Sequence, residues 1–139
     1  MTPSQIALVR ENFAAVTPIA ATAAALFYDR LFALDPSLRP LFKSDMREQG
    51  AKLMQMIGAA VAGLHAPEAL VPTLHGLGRR HRGYGVEDHH YATVGEALIW
   101  TLEQGLGPAF TAEARAAWLA AYGLLAGVMQ AGAAQANAA

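Results

Sequence analysis

Three polar residues lie on stripes that amphipathic helices would bury: Tyr28, Gln49 and His81. Upstream of His81, Leu77, Leu74 and Leu70 fall at spacings of 4, 3 and 4, so the imidazole sits on the inward line of a helix. Arg79, Arg80 and Arg82 point elsewhere on that wheel. A histidine so placed is either a core residue with a hydrogen-bond partner or a ligand. Tyr28 shares a face with Ala24, Leu31 and Phe32, and Gln49 with Leu53, Met56, Ala60 and Leu64. Each has a purely structural reading: a tyrosine can bury its ring and wet its hydroxyl, and a glutamine near a helix start can cap it. Together with Phe42, just past the corner forced by Pro40, they point to one pocket. His81 would hold a metal from one side, and Tyr28 and Gln49 would address whatever binds on the other.

The kind of metal follows from what is missing. A bare zinc site needs three or four ligands, often two histidines at i and i+4. The histidines here are His65, His75, His81, His89 and His90, and no pair has that spacing. There is no cysteine and no HExxH, GxGxxG, P-loop or GxSxG sequence. A single protein ligand facing a large apolar pocket points to haem, whose four nitrogens complete the coordination. His65, His75, His89 and His90 read as surface or helix-end residues, and none offers a distal histidine.

The elements that must position these residues are all helical. Ser4, Gln5, Ile6, Val9 and Phe13 begin a first helix, with Thr2-Pro3 leading in. Pro18 opens a second that ends at Asp35-Pro36. A third runs from about Asp45 to His65, preceded by the loop KSDM. The helix carrying His81 starts near Pro72 and ends at Gly83. It is weak on propensity, since Gly76 and Gly78 each cost roughly 1 kcal/mol against alanine. Glu87 to Gly105 forms a long helix with Tyr91, Val94, Leu98 and Leu102 inward. After the Gly107-Pro108 break a last helix begins at Thr111, with Trp118, Tyr122, Leu125 and Met129 as its stripe. No alternating strand pattern occurs. The expectation is one all-α domain over residues 1–139, six to seven helices, with residues 132–139 frayed.

Composition excludes several classes of function. The net charge is −1 and only 15% of residues are charged, which argues against nucleic acid or an anionic membrane as partner. The basic run RRHR at 79–82 is too short to change that. Residues 116–134 carry no charge and are long enough to span a bilayer. They are rich in Ala and Gly and their large residues form a stripe, so a core-facing helix is the simpler account. No secretory signal opens the chain, and the lack of cysteine fits a reducing compartment, so a cytoplasmic protein is expected.

In order and spacing, LFYDRLFALDPSLRPLF (26–42), EQGAKLMQMIG (48–58), LGRRHRGYGV (77–86), HYATVGEAL (90–98) and AWLAAYG (117–123) resemble the bacterial single-domain globins and the haemoglobin domain of flavohaemoglobins, from about residue 4 to 130. The resemblance implies a globin fold around one haem b. It implies His81 as proximal iron ligand, and Tyr28, Gln49 and Leu53 as the distal pocket. Phe42 is similar to the phenylalanine packed on the haem edge. Lys52 and Arg80 would meet the propionates, and Met56, Leu77, Tyr84, Val86, Tyr91 and Val94 would line the pocket. O2, CO and NO are the implied ligands.

Two departures stand out. The family's last-helix carboxylate, which with a tyrosine supports the proximal histidine, aligns with Ala133 or close to it, and residues 116–139 contain no acid. Tyr91 is retained without that partner. A weaker anionic push on the iron disfavours O–O cleavage. No flavin or nicotinamide domain follows within these 139 residues, so redox turnover would need a separate reductase. The expectation is therefore reversible, tight oxygen binding (transport or storage) by a monomer or weak homodimer; the same pocket would serve an enzyme, and the sequence does not divide the two. The alternatives are a nitric oxide dioxygenase served by an external reductase, a haem-based gas sensor, and a haem-free helical interaction domain.

Overall fold

In the computed structural model, which describes residues 1–43 and 45–138, six α-helices and four short 3-10 turns make up the fold, with no strand among the described residues. Ser44 of the KSDM loop and Ala139 at the tail lie outside these. The all-helical expectation holds, and the helix limits fall close to the sequence punctuation. Helix α1 (Pro3–Val16) starts where Thr2 accepts the backbone N–H of Gln5, and the Gln5 side chain returns a bond to the Thr2 backbone. This reciprocal cap satisfies two donors that the first turn leaves orphaned. Pro18 sits in a 3-10 turn (Thr17–Ile19) that leads into α2 (Ala20–Leu34). Pro36 and Pro40 shape a second 3-10 segment (Pro36–Leu41), capped by Asp35 through the Ser37 N–H at 3.0 Å.

Helices α3 (Met46–Ala62), α4 (Val71–Gly83) and α5 (Asp88–Leu106) follow. Helix α6 (Ala112–Ala138) begins where the Thr111 hydroxyl accepts the Ala114 N–H at 3.1 Å. The main core lies between α1, α3, α5 and α6, around Val9, Val61, Ile99, Leu102 and Trp118. Asn12 is buried there and accepts from the Trp118 indole N–H at 3.1 Å, which spares the core two unpaired polar groups. Helix α6 is long and apolar enough to cross a membrane by length and composition. Here it is a core helix, packed on α1, α4 and α5, with Ala114, Ala117, Trp118 and Ala121 buried.

Helix α4 is held differently. It packs on α6 and on the 3-10 turn before it (Pro67–Leu70). Its contact with α6 is backbone against backbone. A Cβ on Gly78 would run into the carbonyl of Met129, and one on Gly132 into the carbonyl of His75. Gly78, read from sequence as a helix weakness, is thus what lets α4 seat on α6. The same contact reaches into the segment expected to fray: Gly132 and Ala133 are buried and helical.

Candidate functional site

Helices α2, α3 and α5 bring one set of the singled-out residues together. Tyr28, Leu31, Phe42, Leu53 and Val94 belong to a single apolar cluster. Rings pile around Tyr28: Phe27 edge-on at 5.1 Å, Phe42 edge-on at 5.3 Å and Phe32 stacked at 6.0 Å. Phe27 escaped the sequence reading because it stands one residue off the Tyr28 stripe. The Tyr28 ring is buried, and its hydroxyl donates to the backbone carbonyl of Gln49 over a long 3.4 Å. Burial pushes the phenol up from 10.0 to about 12, so at neutral pH it is an intact O–H donor. Gln49 itself is half-buried. The α2–α3 contact beside it is tight, since Gly50 faces the Ala24 methyl.

On α4, His81 is half-buried and its Nδ1 lies 2.8 Å from the carbonyl oxygen of Leu77 one turn back. Because a carbonyl only accepts, Nδ1 carries the proton and Nε2 keeps its lone pair. Nε2 makes no hydrogen bond among the described residues. Burial lowers the His81 pKa, opposed by the Leu77 bond and reinforced by Arg80, so the ring is held neutral. That is the state and tautomer a metal-binding imidazole needs. The chain then turns sharply: the Val86 N–H donates to the His81 carbonyl at 3.0 Å, with Gly85 at positive φ.

Tyr91 is buried at the start of α5. Its carbonyl accepts the Tyr122 hydroxyl at 2.6 Å, while its own hydroxyl is buried with no partner among the described residues. An orphaned buried hydroxyl is uncommon; Ala133 on α6 is buried as well. Leu77 is buried, and Met56 and Val86 are half-buried. Lys52 and Arg80 are exposed, and Tyr84 is exposed with its ring 6.4 Å from that of His81.

The fold makes one cluster that sequence spacing does not show. Ligand atoms of Asp35, His89 and His90 lie within 4.8 Å of one another. All three are already engaged. Ser37 donates to Asp35, the Glu87 carboxylate pairs with His89 Nδ1 at 3.4 Å, and the Glu87 N–H donates to His90 Nδ1 at 2.9 Å. The last bond places the His90 proton on Nε2 and withdraws that nitrogen from any ligand set. His90 is a helix-end residue as expected, but it is buried and not on the surface.

The chain matches the Globin family over residues 25–129. It is also 32% identical to neuroglobin of Danio rerio over 90% of its length and 87% of that protein, and 36% identical to neuroglobin of Chaenocephalus aceratus over 77% and 76%. It belongs to the globins. Two solved structures agree in fold. One is an engineered carbene transferase named after a nitric oxide dioxygenase of Rhodothermus marinus (28% identity, TM-score 0.89, 99% of this chain and 96% of that one). The other is a bacterial globin from Campylobacter jejuni (22% identity, TM-score 0.87, 99% and 100%), which speaks to fold alone. The sequence relatives are vertebrate and the structural ones bacterial, so the comparisons establish a globin and not the bacterial single-domain subgroup. Membership of this family implies haem. The residues present fit it: a neutral imidazole whose Nε2 has no partner among the described residues, and an aromatic, donor-bearing wall on α2 and α3.

Proposed function

We propose that this globin, of the bacterial single-domain type, holds haem b through His81 Nε2 and binds O2 reversibly and tightly. The observation that carries the reading is His81 itself, fixed as the Nδ1–H tautomer by Leu77 and kept neutral by burial. Haem, when bound, supplies the ferrous iron at which O2, CO or NO attaches. Everything else falls to the chain. Tyr28 holds a proton on its hydroxyl and exchanges its long bond to the Gln49 carbonyl for one to the ligand. The Gln49 amide is the second donor, and Leu53 and Phe42 keep water away. Lys52 and Arg80 stand at the surface to meet propionates, and Met56, Leu77, Tyr84, Val86, Tyr91 and Val94 complete the surround. A charge-assisted donor contributes about 1.5–3 kcal/mol, which slows oxygen release roughly 10- to 150-fold; CO, less polar, gains less.

An optical spectrum of the purified protein with haem tests this, taken ferric, reduced, and with O2 and CO. A five-coordinate ferrous form converting to a stable oxygen complex is expected, lost in His81→Gly. Tyr28→Phe is expected to release oxygen faster by the factor above. No haem spectrum overturns the reading, and an unchanged off-rate overturns the role of Tyr28.

A second reading is favoured by the name of the Rhodothermus marinus neighbour: NO dioxygenase activity, with re-reduction by a separate reductase. Sustained turnover of NO with a cellular reductase separates it from oxygen transport or storage.

A further inference from the structure

Phe13 on α1 borders two spaces. Inward lies an apolar cavity of about 20 Å³, lined also by Val16, Phe27, Leu53, Ile57 and Trp118. Outward lies an open groove between α1 and α3, lined by Arg10, Thr17, Gly58, Val61 and Ala62. Phe13 is the one residue common to both linings. The inner cavity offers water little, at most the Thr101 oxygen as a single acceptor. Thr101, its hydroxyl-bearing wall residue, spends its O–H on the Ala97 carbonyl at 2.8 Å, and the Trp118 N–H is taken by Asn12. A buried water needs two to four polar partners, so the cavity favours a small apolar guest. Its far end is the distal wall, because Leu53 and Phe27 also pack in the Tyr28 cluster. On the near side the Phe13 ring tip lies over Gly58, where a Cβ would come within 3.3 Å of Cε2 and Cζ. Glycine at 58 thus leaves the ring space to swing toward α3.

We propose that Phe13 is the gate of an entry route for a diatomic gas, running from the α1–α3 groove through this cavity to the distal side at Leu53. The proposal rests on the gas-binding reading above. A gate changes the barrier and not the bound state, so it must alter association and dissociation together and leave affinity unchanged.

The test is CO rebinding after flash photolysis, with oxygen association and dissociation rates, on the haem-loaded protein. Phe13→Trp fills the gate and Gly58→Ala crowds its ring. Each is expected to slow both rates in parallel, about tenfold for Phe13→Trp, the effect of roughly 1.4 kcal/mol added to the barrier. Phe13→Leu is expected to speed both, and Kd stays constant throughout. Xenon titration of the protein as purified, followed by NMR at Val16, Leu53 and Ile57, reads the cavity whether or not haem is held. Xenon shifts in the wild type that Phe13→Trp suppresses support the route even if no haem spectrum appears, in which case the gas-binding reading alone fails. A normal haem spectrum with rates unchanged in all three variants overturns the gate, as does the absence of any xenon response.

Discussion

Helices α3 and α4 bear the residues we propose for the two sides of the haem, Gln49 and His81, and they are held in place by different means. On the distal side α2 meets α3 through its side chains: the Ala24 methyl faces Gly50, the Tyr28 hydroxyl reaches the Gln49 carbonyl, and the Tyr28 ring shares an apolar cluster with Leu53. On the proximal side α4 meets α6 through backbone, with Gly78 against the Met129 carbonyl and Gly132 against that of His75. Side chains can be trimmed or rotated, whereas a carbonyl in a helix ladder cannot move without breaking the ladder. The distal wall is therefore adjustable by substitution, and the height of His81 over its helix partner is not.

The sharpest way to break this contrast is Gly78→Ala. Alanine is the better helix former, so a gain in stability would mean that α4 floats free of α6. The expected result is a loss of roughly 3 kcal/mol in denaturant unfolding, from overpacking against an immovable carbonyl.

A smaller effect isolates the distal hydroxyl. Tyr28 is raised from 10.0 to about 12 by burial, so between those values the folded state holds a proton that the unfolded chain releases. Its contribution to stability is complete below about pH 10 and is lost as pH rises toward 12, on the order of 2 kcal/mol. Tyr91 and Tyr122 are raised as well, so the difference between wild type and Tyr28→Phe is the quantity to follow. Parallel alkaline unfolding curves would mean that Tyr28 is already solvated.

The smallest effect tests adjustability itself. Gly50→Ala would put a Cβ within 2.9 Å of the Ala24 methyl and is expected to cost about 1 kcal/mol. Ala24→Gly in the same chain removes the obstructing methyl and should return part of that loss. No side-chain deletion near Met129 should do the same for Gly78→Ala. Equal rescue on both sides would erase the distinction.

The Asp35, His89 and His90 cluster shows the limit of reading by spacing. No helical period links residue 35 to residues 89 and 90, yet the end of α2 and the start of α5 meet there. His90, read as a surface or helix-end residue, stands at the start of α5 and is buried there: its helix-end position was legible, but burial depends on which element covers that end.

Periodicity and punctuation are local properties, and they were sufficient for the helices. Thr2, Pro18, Asp35-Pro36, Gly83 and Gly107-Pro108 act on their own backbone, so the six helices and the inward stripes holding Tyr28, Gln49 and His81 could be read directly from the chain. Distances between helices are not local. That Tyr28 reaches the Gln49 carbonyl, that Tyr91 buries a hydroxyl with no partner among the described residues, and that Phe13 stands between a groove and a cavity are consequences of packing. The glycines show the division most clearly. In sequence Gly78 is a cost to its helix; against Met129 it is the condition for α4 to hold His81 where it does, because only the tertiary contact reveals that no room exists for a Cβ.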